Sequence, residues 1–282
     1  MIIGSDRHRL VCRQVRTVSR RIDAIGDQVL FYLRSLLSIG RAARSYRDET
    51  MRLISEISLG TGVLALVGGS VVIMGFLTFF AGATVAVQGY HALGGIGVDA
   101  FTGFLSAYIN IRVVAPVTAG VGLAATVGAG TTAELGAMRV SEEIDALDAM
   151  AISSVPYLVG TRLLAGLIVV FPLYALSVVA AFTASRITTV LILKQSAGVY
   201  DHYFRTFLNP TDVLWSFAQA IGMAVVVMLV HTYYGFHTHG GPAAVGVATG
   251  RAVRLSLVCV VTVTLMISLA LYGSARQLHL AG

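Results

Sequence analysis

A chain of 282 residues that is 56% hydrophobic and only 12% charged, with a mean hydropathy of +0.80, cannot hide its apolar surface in a water-soluble fold, since soluble domains are about 25% charged. Composition therefore excludes a soluble globular enzyme, and the length leaves room for one membrane domain and no second globular one. The formal net charge of +6 is uneven: residues 1–57 hold eleven of the twenty basic residues, Arg7, Arg9, Arg13, Arg16, Arg20, Arg21, Arg34, Arg41, Arg44, Arg47 and Arg52, which beside a hydrophobic body reads as a cytoplasmic terminus near anionic lipid and not as a nucleic-acid-binding arm.

In chain order, residues 1–27 form a basic cytoplasmic arm, charged throughout and without the apolar core of a secretory signal. Residues 28–57 follow as an interfacial segment. Val29, Leu30, Phe31, Leu33, Leu36, Leu37 and Ile39 alternate with Arg34, Arg41 and Arg44, too short and too basic to span, so an amphipathic helix in the membrane interface is expected, ending in a charged elbow over 46–56. The remaining 58–282 form the membrane domain. Five apolar segments, about 60–88, 101–132, 157–185, 213–234 and 255–273, meet the ~20 residues that a spanning helix needs. The expected fold is thus an all-α membrane protein with an amino-terminal interfacial helix and five transmembrane helices. Gly120, Ala124, Gly128 and Thr132 fall four apart on one helical face, a pattern that lets helices approach closely in lipid.

Polar breaks separate the spans at 134–156, 186–210 and 237–254. With the amino end inside, the inner breaks and their margins hold Arg139, Arg162, Arg251 and Arg254, and the outer side holds Arg186, Lys194, Arg205 and Arg276. The loops tie, and the arginine-rich amino end decides the orientation, with the carboxyl end outside.

The break at 134–150 carries five acids, Glu134, Glu142, Glu143, Asp145 and Asp148, and one arginine, Arg139. At helical spacing Val140, Ile144, Leu147 and Ala151 share one face, and Glu142 and Asp145 another. Glu143 stands four residues from Arg139, a pairing distance, and Ser141 is placed to cap a helix beginning at Glu142. This is a short acidic amphipathic helix: either a solvated connector between spans or, because a connector needs no apolar stripe, a docking element for a basic partner.

Several motifs here resemble the MlaE/YrbE family of ABC-transporter permeases: Thr132-Ala133-Glu134-Leu135-Gly136, Glu142-Glu143-Ile144-Asp145-Ala146-Leu147, Val87-Gln88-Gly89-Tyr90, Ala115-Pro116-Val117, and Tyr157-Leu158-Val159 with Arg162. The likeness covers the chain after about residue 40. Tyr233-Tyr234-Gly235-Phe236 through Gly240-Gly241-Pro242 to Gly250-Arg251-Ala252-Val253-Arg254 resembles the actinobacterial YrbE branch. Gln195 through Phe204 is similar to its B-type subunits in mammalian-cell-entry (MCE) systems of sterol uptake. The resemblance implies a subunit of an ATP-driven importer of sterol or fatty-acid-type lipids in the inner membrane. Its implied partners are a second permease forming a heterodimer, two copies of a cytoplasmic ATPase that holds ATP and Mg²⁺, and periplasmic MCE-domain proteins. The acidic segment becomes the ATPase-coupling helix, with Glu134, Arg139, Glu142, Glu143, Asp145 and Leu147 as its residues.

No cofactor is expected in this subunit. Its single lysine, Lys194, stands between Leu193 and Gln195, so no Gly-Lys-Ser/Thr phosphate loop exists and ATP hydrolysis falls to a partner. Phe79, Val87, Tyr90 and Arg112 match positions near the lipid cavity of such permeases, or are ordinary packing and, for Arg112, a side chain snorkelling to the surface. The acid that follows this arginine in bacterial MlaE proteins is replaced here by Val113, which suits a cargo of little charge. His231, His237 and His239 lack a nearby cysteine or carboxylate, so no metal site is expected. Two other classes compete: an ion-coupled secondary transporter, which the absence of acids from the apolar spans disfavours, and a membrane scaffold for the MCE tunnel with transport carried by the paired permease.

Overall fold

A computed structural model describes residues 26–59 and 70–272. The basic arm up to residue 25 and the start of the first expected span, 60–69, lie outside the described residues. Among those described there are nine helical elements and no strand. They are α1 (26–45), α2 (Arg47–Leu59), α3 (Ser70–Gly94), α4 (Asp99–Val140), α5 (Glu143–Ala149), α6 (Val155–Ile192), α7 (Ala197–Phe207), α8 (Pro210–Phe236) and α9 (Pro242–Tyr272). Five of them, α3, α4, α6, α8 and α9, are long and apolar enough to cross a membrane.

The helices overrun the expected spans because polar residues continue them. α4 has 42 residues, roughly 60 Å at 1.5 Å per residue against a hydrocarbon core of about 30 Å. It carries Glu134 and Arg139, expected in a break, as helical residues. α6 continues to Ile192, so Arg186 belongs to a helix and not to a loop. α9 starts at Pro242 and not near 255, after a turn in which Gly240 takes φ +116°. Proline supplies a preset φ at the first helical position, and Arg251 and Arg254 become exposed residues of that helix. The expected elbow at 46–56 is the helix α2, laced by Glu49–Arg52 and Arg52–Glu56 pairs at 2.7 and 3.0 Å. Hydrogen bonding to Arg52 holds the Glu49 carboxyl below its ordinary range.

α1 turns small residues, not its leucines, toward the bundle. Phe31, Ser35, Ser38 and Ala42 form the buried face, while Leu33 and Leu37 are exposed, Leu37 by 82%. Ser38 and Ala42 sit so close to α6 that a Cβ at Gly160 would fall 2.8 Å from Ser38 Oγ. The small-residue face of α4 works the same way. Gly120 lies under Met223 and Val260, and a Cβ at Gly128 would fall 2.5 Å from the His231 ring. His231 joins Thr132 Oγ1 (2.7 Å, α4) to Ser256 Oγ (3.1 Å, α9). Other buried pairs cross the bundle: Asn110 Nδ2 donates to Ser185 Oγ at 2.7 Å, and Ser185 Oγ to the Gly82 carbonyl at 2.8 Å. Around them Leu123, Leu163, Val170, Leu173, Met223, Val227 and Met228 build one core shared by α4, α6 and α8.

α5 links α4 to α6 and α7 links α6 to α8, so the two short helices lie at opposite ends of the bundle. α1, α2, the end of α8 and the start of α9 share the α5 end: Tyr46 meets Tyr157 at 5.1 Å, and Phe31 meets Tyr233, Phe236 and His237 at 5.0–5.6 Å.

Candidate functional site

The acidic segment is built by two reversals of the backbone. Glu142 takes a left-handed conformation at φ 61° and Ala151 another at φ 62°, a region costly for residues with a Cβ. Between them α5 runs for seven residues. Ser141 does not cap it. Its hydroxyl turns to the Glu143 carboxylate at 2.8 Å, and Glu142 occupies the cap position with no side-chain hydrogen bond. At the other end Ile152 N donates to Leu147 O at 3.0 Å and Ala151 N to Asp148 O at 3.1 Å, a Schellman-like closure with alanine where glycine is usual. Asp148 Oδ1 then accepts from Ser154 N at 3.2 Å, tying α5 to the entrance of α6.

Of the apolar stripe read from the sequence, Ile144 and Leu147 point inward, Val140 is half-buried and Ala151 is exposed. Ile144 is fully buried between Leu135 of α4 and Leu158 of α6, and Met138, Leu147, Tyr157 and Phe236 close around them. One seven-residue helix is thereby keyed into three spans, α4, α6 and α8. This corrects the expectation that the stripe itself meets a partner: it is occupied by the chain's own bundle. What faces outward is Glu142, Glu143, Asp145, Ala146 and Met150, a small apolar patch rimmed by carboxylates with Met150 62% exposed.

The arginines sit beneath. Arg139 Nη1 donates to Asp145 Oδ1 at 2.6 Å, so its partner is Asp145 and not Glu143 as the spacing suggested. Glu134 stands on α4, two turns before α5, where its Oε2 accepts from Arg162 Nη2 of α6 at 3.1 Å. Arg162 is buried and also donates to the Leu158 carbonyl at 3.2 Å. Glu134 thus joins the two long helices that carry α5 and is not part of its outward face. Sequence reasoning did not pair Arg162 with Glu134; the signal was a lone arginine inside an apolar segment beside a break rich in acids, since an arginine in lipid takes a partner.

The four lipid-pathway candidates are not brought together. Phe79 lines a wholly apolar groove of about 510 Å³ with Val71, Gly75, Phe76, Phe80 and Leu176 on α3 and α6. Val87 and Tyr90 lie farther along α3, half-buried and outside that lining. Arg112 is elsewhere, in the π-turn Asn110–Val114 of α4, where it pairs with Asp212 at 2.9 Å and lies 4.0 Å over the Tyr108 ring. Asp212 overturns the reading that the spans contain no acid. α8 begins at Pro210, capped by Asn209 Oδ1 on Thr211 N at 2.9 Å, and Asp212 occupies its first turn. The string Asn209-Pro210-Thr211-Asp212 carries a helix-start signature that places the acid inside the helix. The pairing also fixes a level: Arg112 is roughly 20 Å along α4 from Asp99, so α8 starts well below the start of α4, and Ser216 Oγ bonding the Ile111 carbonyl at 2.6 Å confirms the register. His231, His237 and His239 do not converge on one point with a carboxylate or cysteine; among the described residues no three such side chains group to hold a metal.

The family model for the permease MlaE matches residues 60–270, a stretch that includes α3 to α8 and nearly all of α9. The chain is similar to a probable ABC transporter permease protein of Rickettsia bellii, 28% identical over 84% of this chain and 88% of that protein. It is similar to the intermembrane phospholipid transport system permease protein MlaE of Haemophilus influenzae, 22% identical over 90% of this chain and 98% of that one. It also matches the chloroplastic protein trigalactosyldiacylglycerol 1 of Arabidopsis thaliana, 24% identical over 64% of this chain and 51% of the plant protein.

Proposed function

The chain belongs to the MlaE permease family, and on that premise we propose that it is the membrane-spanning subunit of an ATP-driven lipid importer, with α5 as the element through which a separate ATPase moves the bundle. The observation that carries the coupling role is the division of α5 into two faces. Ile144 keys into Leu135 of α4 and Leu158 of α6, with Phe236 of α8 packed against the same cluster, and Glu142, Glu143 and Asp145 are exposed. A force applied to so short a helix is delivered to three spans through a packed contact that does not yield gradually. The carboxylates suit a basic groove on the partner, where charge fixes register and orientation. ATP and Mg²⁺ belong to that partner, because this chain carries no lysine in a phosphate-loop context; the family resemblance implies two copies of it.

The basic amino end orients α1, α2 and α5 to the cytoplasm, with the carboxyl end outside. A second permease of the same family pairs laterally, and periplasmic MCE-domain proteins receive or deliver lipid at the α7 end. The name of the Haemophilus relative supports a lipid cargo. Val113 beside Arg112, and an entirely apolar groove at Phe79, favour a cargo of low charge such as a sterol or a fatty-acid-type lipid.

Charge reversal of the outward face tests the assignment. Glu142→Lys with Glu143→Lys alters two exposed residues, so the bundle is expected to assemble normally while ATPase co-purification or ATP-linked uptake falls by roughly ten-fold or more. An intact complex with normal uptake would falsify the coupling role. Mass spectrometry of lipid retained by the native complex identifies the cargo.

A further inference from the structure

At the end of the bundle opposite α5, α7 closes over α6 and leaves a cavity of about 590 Å³ that neither α5 nor the Phe79 groove touches. Part of its wall is apolar, formed by Phe182 and Ile187 of α6 with Phe204 and Leu208 at the end of α7, and Thr183 and Tyr200 also line it; Phe182 and Phe204 pack edge to face at 4.8 Å. Its rim is charged. Arg186 of α6 grips Asp201 of α7 through two hydrogen bonds of 2.9 Å each, and that grip holds α7 in place as one side of the cavity. Arg205, one turn beyond Asp201, also lines it, is exposed, and forms no ion pair among the described residues. Two guanidinium groups against one carboxylate leave the rim with a net positive charge.

We infer that this cavity is a binding site for an amphiphile with an anionic head, whose chain lies against Phe182, Phe204 and Leu208 while Arg205 receives the head. Three features converge. The apolar wall excludes a small hydrophilic anion as the natural occupant, since filling it removes hydrocarbon from water. The rim arginine is a donor fork shaped for carboxylate or phosphate. The cavity sits at the end of a spanning helix beside an amphipathic helix, the level at which lipid heads and the first methylenes of their chains meet. The head chemistry is shared by a free fatty acid and by an acidic phospholipid. The site shares no lining residue with the Phe79 groove and does not depend on whether the transported cargo is a sterol.

The test uses the complex as purified with its partner subunits, placed in phosphatidylcholine nanodiscs with one of three diazirine probes: palmitate, phosphatidylglycerol or phosphatidylcholine. Palmitate or phosphatidylglycerol is expected to label residues 182–208 above the phosphatidylcholine probe. Arg205→Glu is expected to lower that labelling roughly five- to ten-fold, a surface-discounted charge-assisted bond, and Arg205→Lys to retain most of it. Labelling by palmitate alone identifies a single-chain acid, by phosphatidylglycerol alone a lipid phosphate, and both outcomes support the site. Labelling no stronger than by phosphatidylcholine, or unchanged in Arg205→Glu, overturns it; a partner protein seated in the cavity would produce the first of these. Arg205→Glu also sets a second carboxylate one turn from Asp201, so Arg205→Gln, which removes the charge without adding one, is measured beside it and is expected to lower the labelling as well; unchanged labelling in Arg205→Gln overturns the site.

Discussion

The two short helices that join spans, α5 and α7, solve the same problem in opposite ways. α5 inserts one fully buried isoleucine among three spans and presents carboxylates outward. α7 lies along the start of α4 and is clipped to α6 at its side. Phe101 meets Tyr203 at 4.5 Å and Phe104 meets Phe207 at 4.6 Å, with backbone so close that a Cβ at Gly103 would fall 2.4 Å from the Tyr200 carbonyl. Burial pushes the Tyr200 hydroxyl up to about 12. The difference sets how far a displacement of each helix would spread. An element keyed into several helices transmits displacement to all of them, whereas an element spread over one helix end can cover a cavity and shift without moving the core.

The sharpest way to break this contrast is at Ile144. Ile144→Asp puts a carboxylate into the apolar seat formed with Leu135 and Leu158, at an expected cost of roughly 3–5 kcal/mol. We expect α5 to leave its seat and ATP-linked uptake to be lost, while Ile144→Val, costing about 1 kcal/mol, preserves both. Thermal unfolding of the purified complex together with uptake measures the pair. If Ile144→Asp transports normally, α5 is not the transmitting element. The corresponding cut at the other end is Gly103→Val. The added side chain meets α7 backbone, which can give only by lifting, at about 1–3 kcal/mol. Protease sensitivity of residues 197–209 is expected to rise while ATPase association stays intact. Loss of ATPase association would show that the two ends are rigidly joined and dissolve the contrast.

Much of this was legible in the chain. Composition located the bilayer, the four-residue spacing of Gly120, Ala124, Gly128 and Thr132 marked a close helix contact, and the stripe of Ile144 and Leu147 marked an amphipathic α5. Periodicity tells which residues share a face but not what covers it, so the partner of the Ile144 stripe was read as another protein when it is the bundle. The helices run past the charges at which the sequence places the ends of the spans. In lipid a charge ends a span only if it lacks a partner, and Arg112 with Asp212 and Arg162 with Glu134 are partners supplied by distant segments. Such pairs, about a hundred residues apart in the first case, leave no local signature. The cavity under α7 was invisible for the same reason, being made by the fold of one helix over another.

The smallest effect belongs to the clip that holds α7 over α6. Arg186 donates to Asp201 through both carboxylate oxygens, and that hydrogen bonding keeps the Asp201 carboxyl below its ordinary range, with Arg205 adding to the pull. A carboxyl whose folded value is depressed contributes stability that is complete above its unfolded value near 4 and is lost as pH falls through the depressed one. The clip is therefore constant from about pH 5 upward and opens only in acid. A nitroxide carried by His202→Cys, on the exposed side of α7, is expected to keep one mobility between pH 5 and pH 8 and to loosen slightly below pH 4. Asp201→Asn should show the loosened signal at every pH. Both partners are solvent-accessible, so screening keeps the change small and salt should shrink it further. A pH-independent signal in the parent protein together with an unaltered Asp201→Asn would mean that the aromatic contacts with α4 alone hold α7, and the contrast between a keyed helix and a clipped one would rest on rings and not on charge.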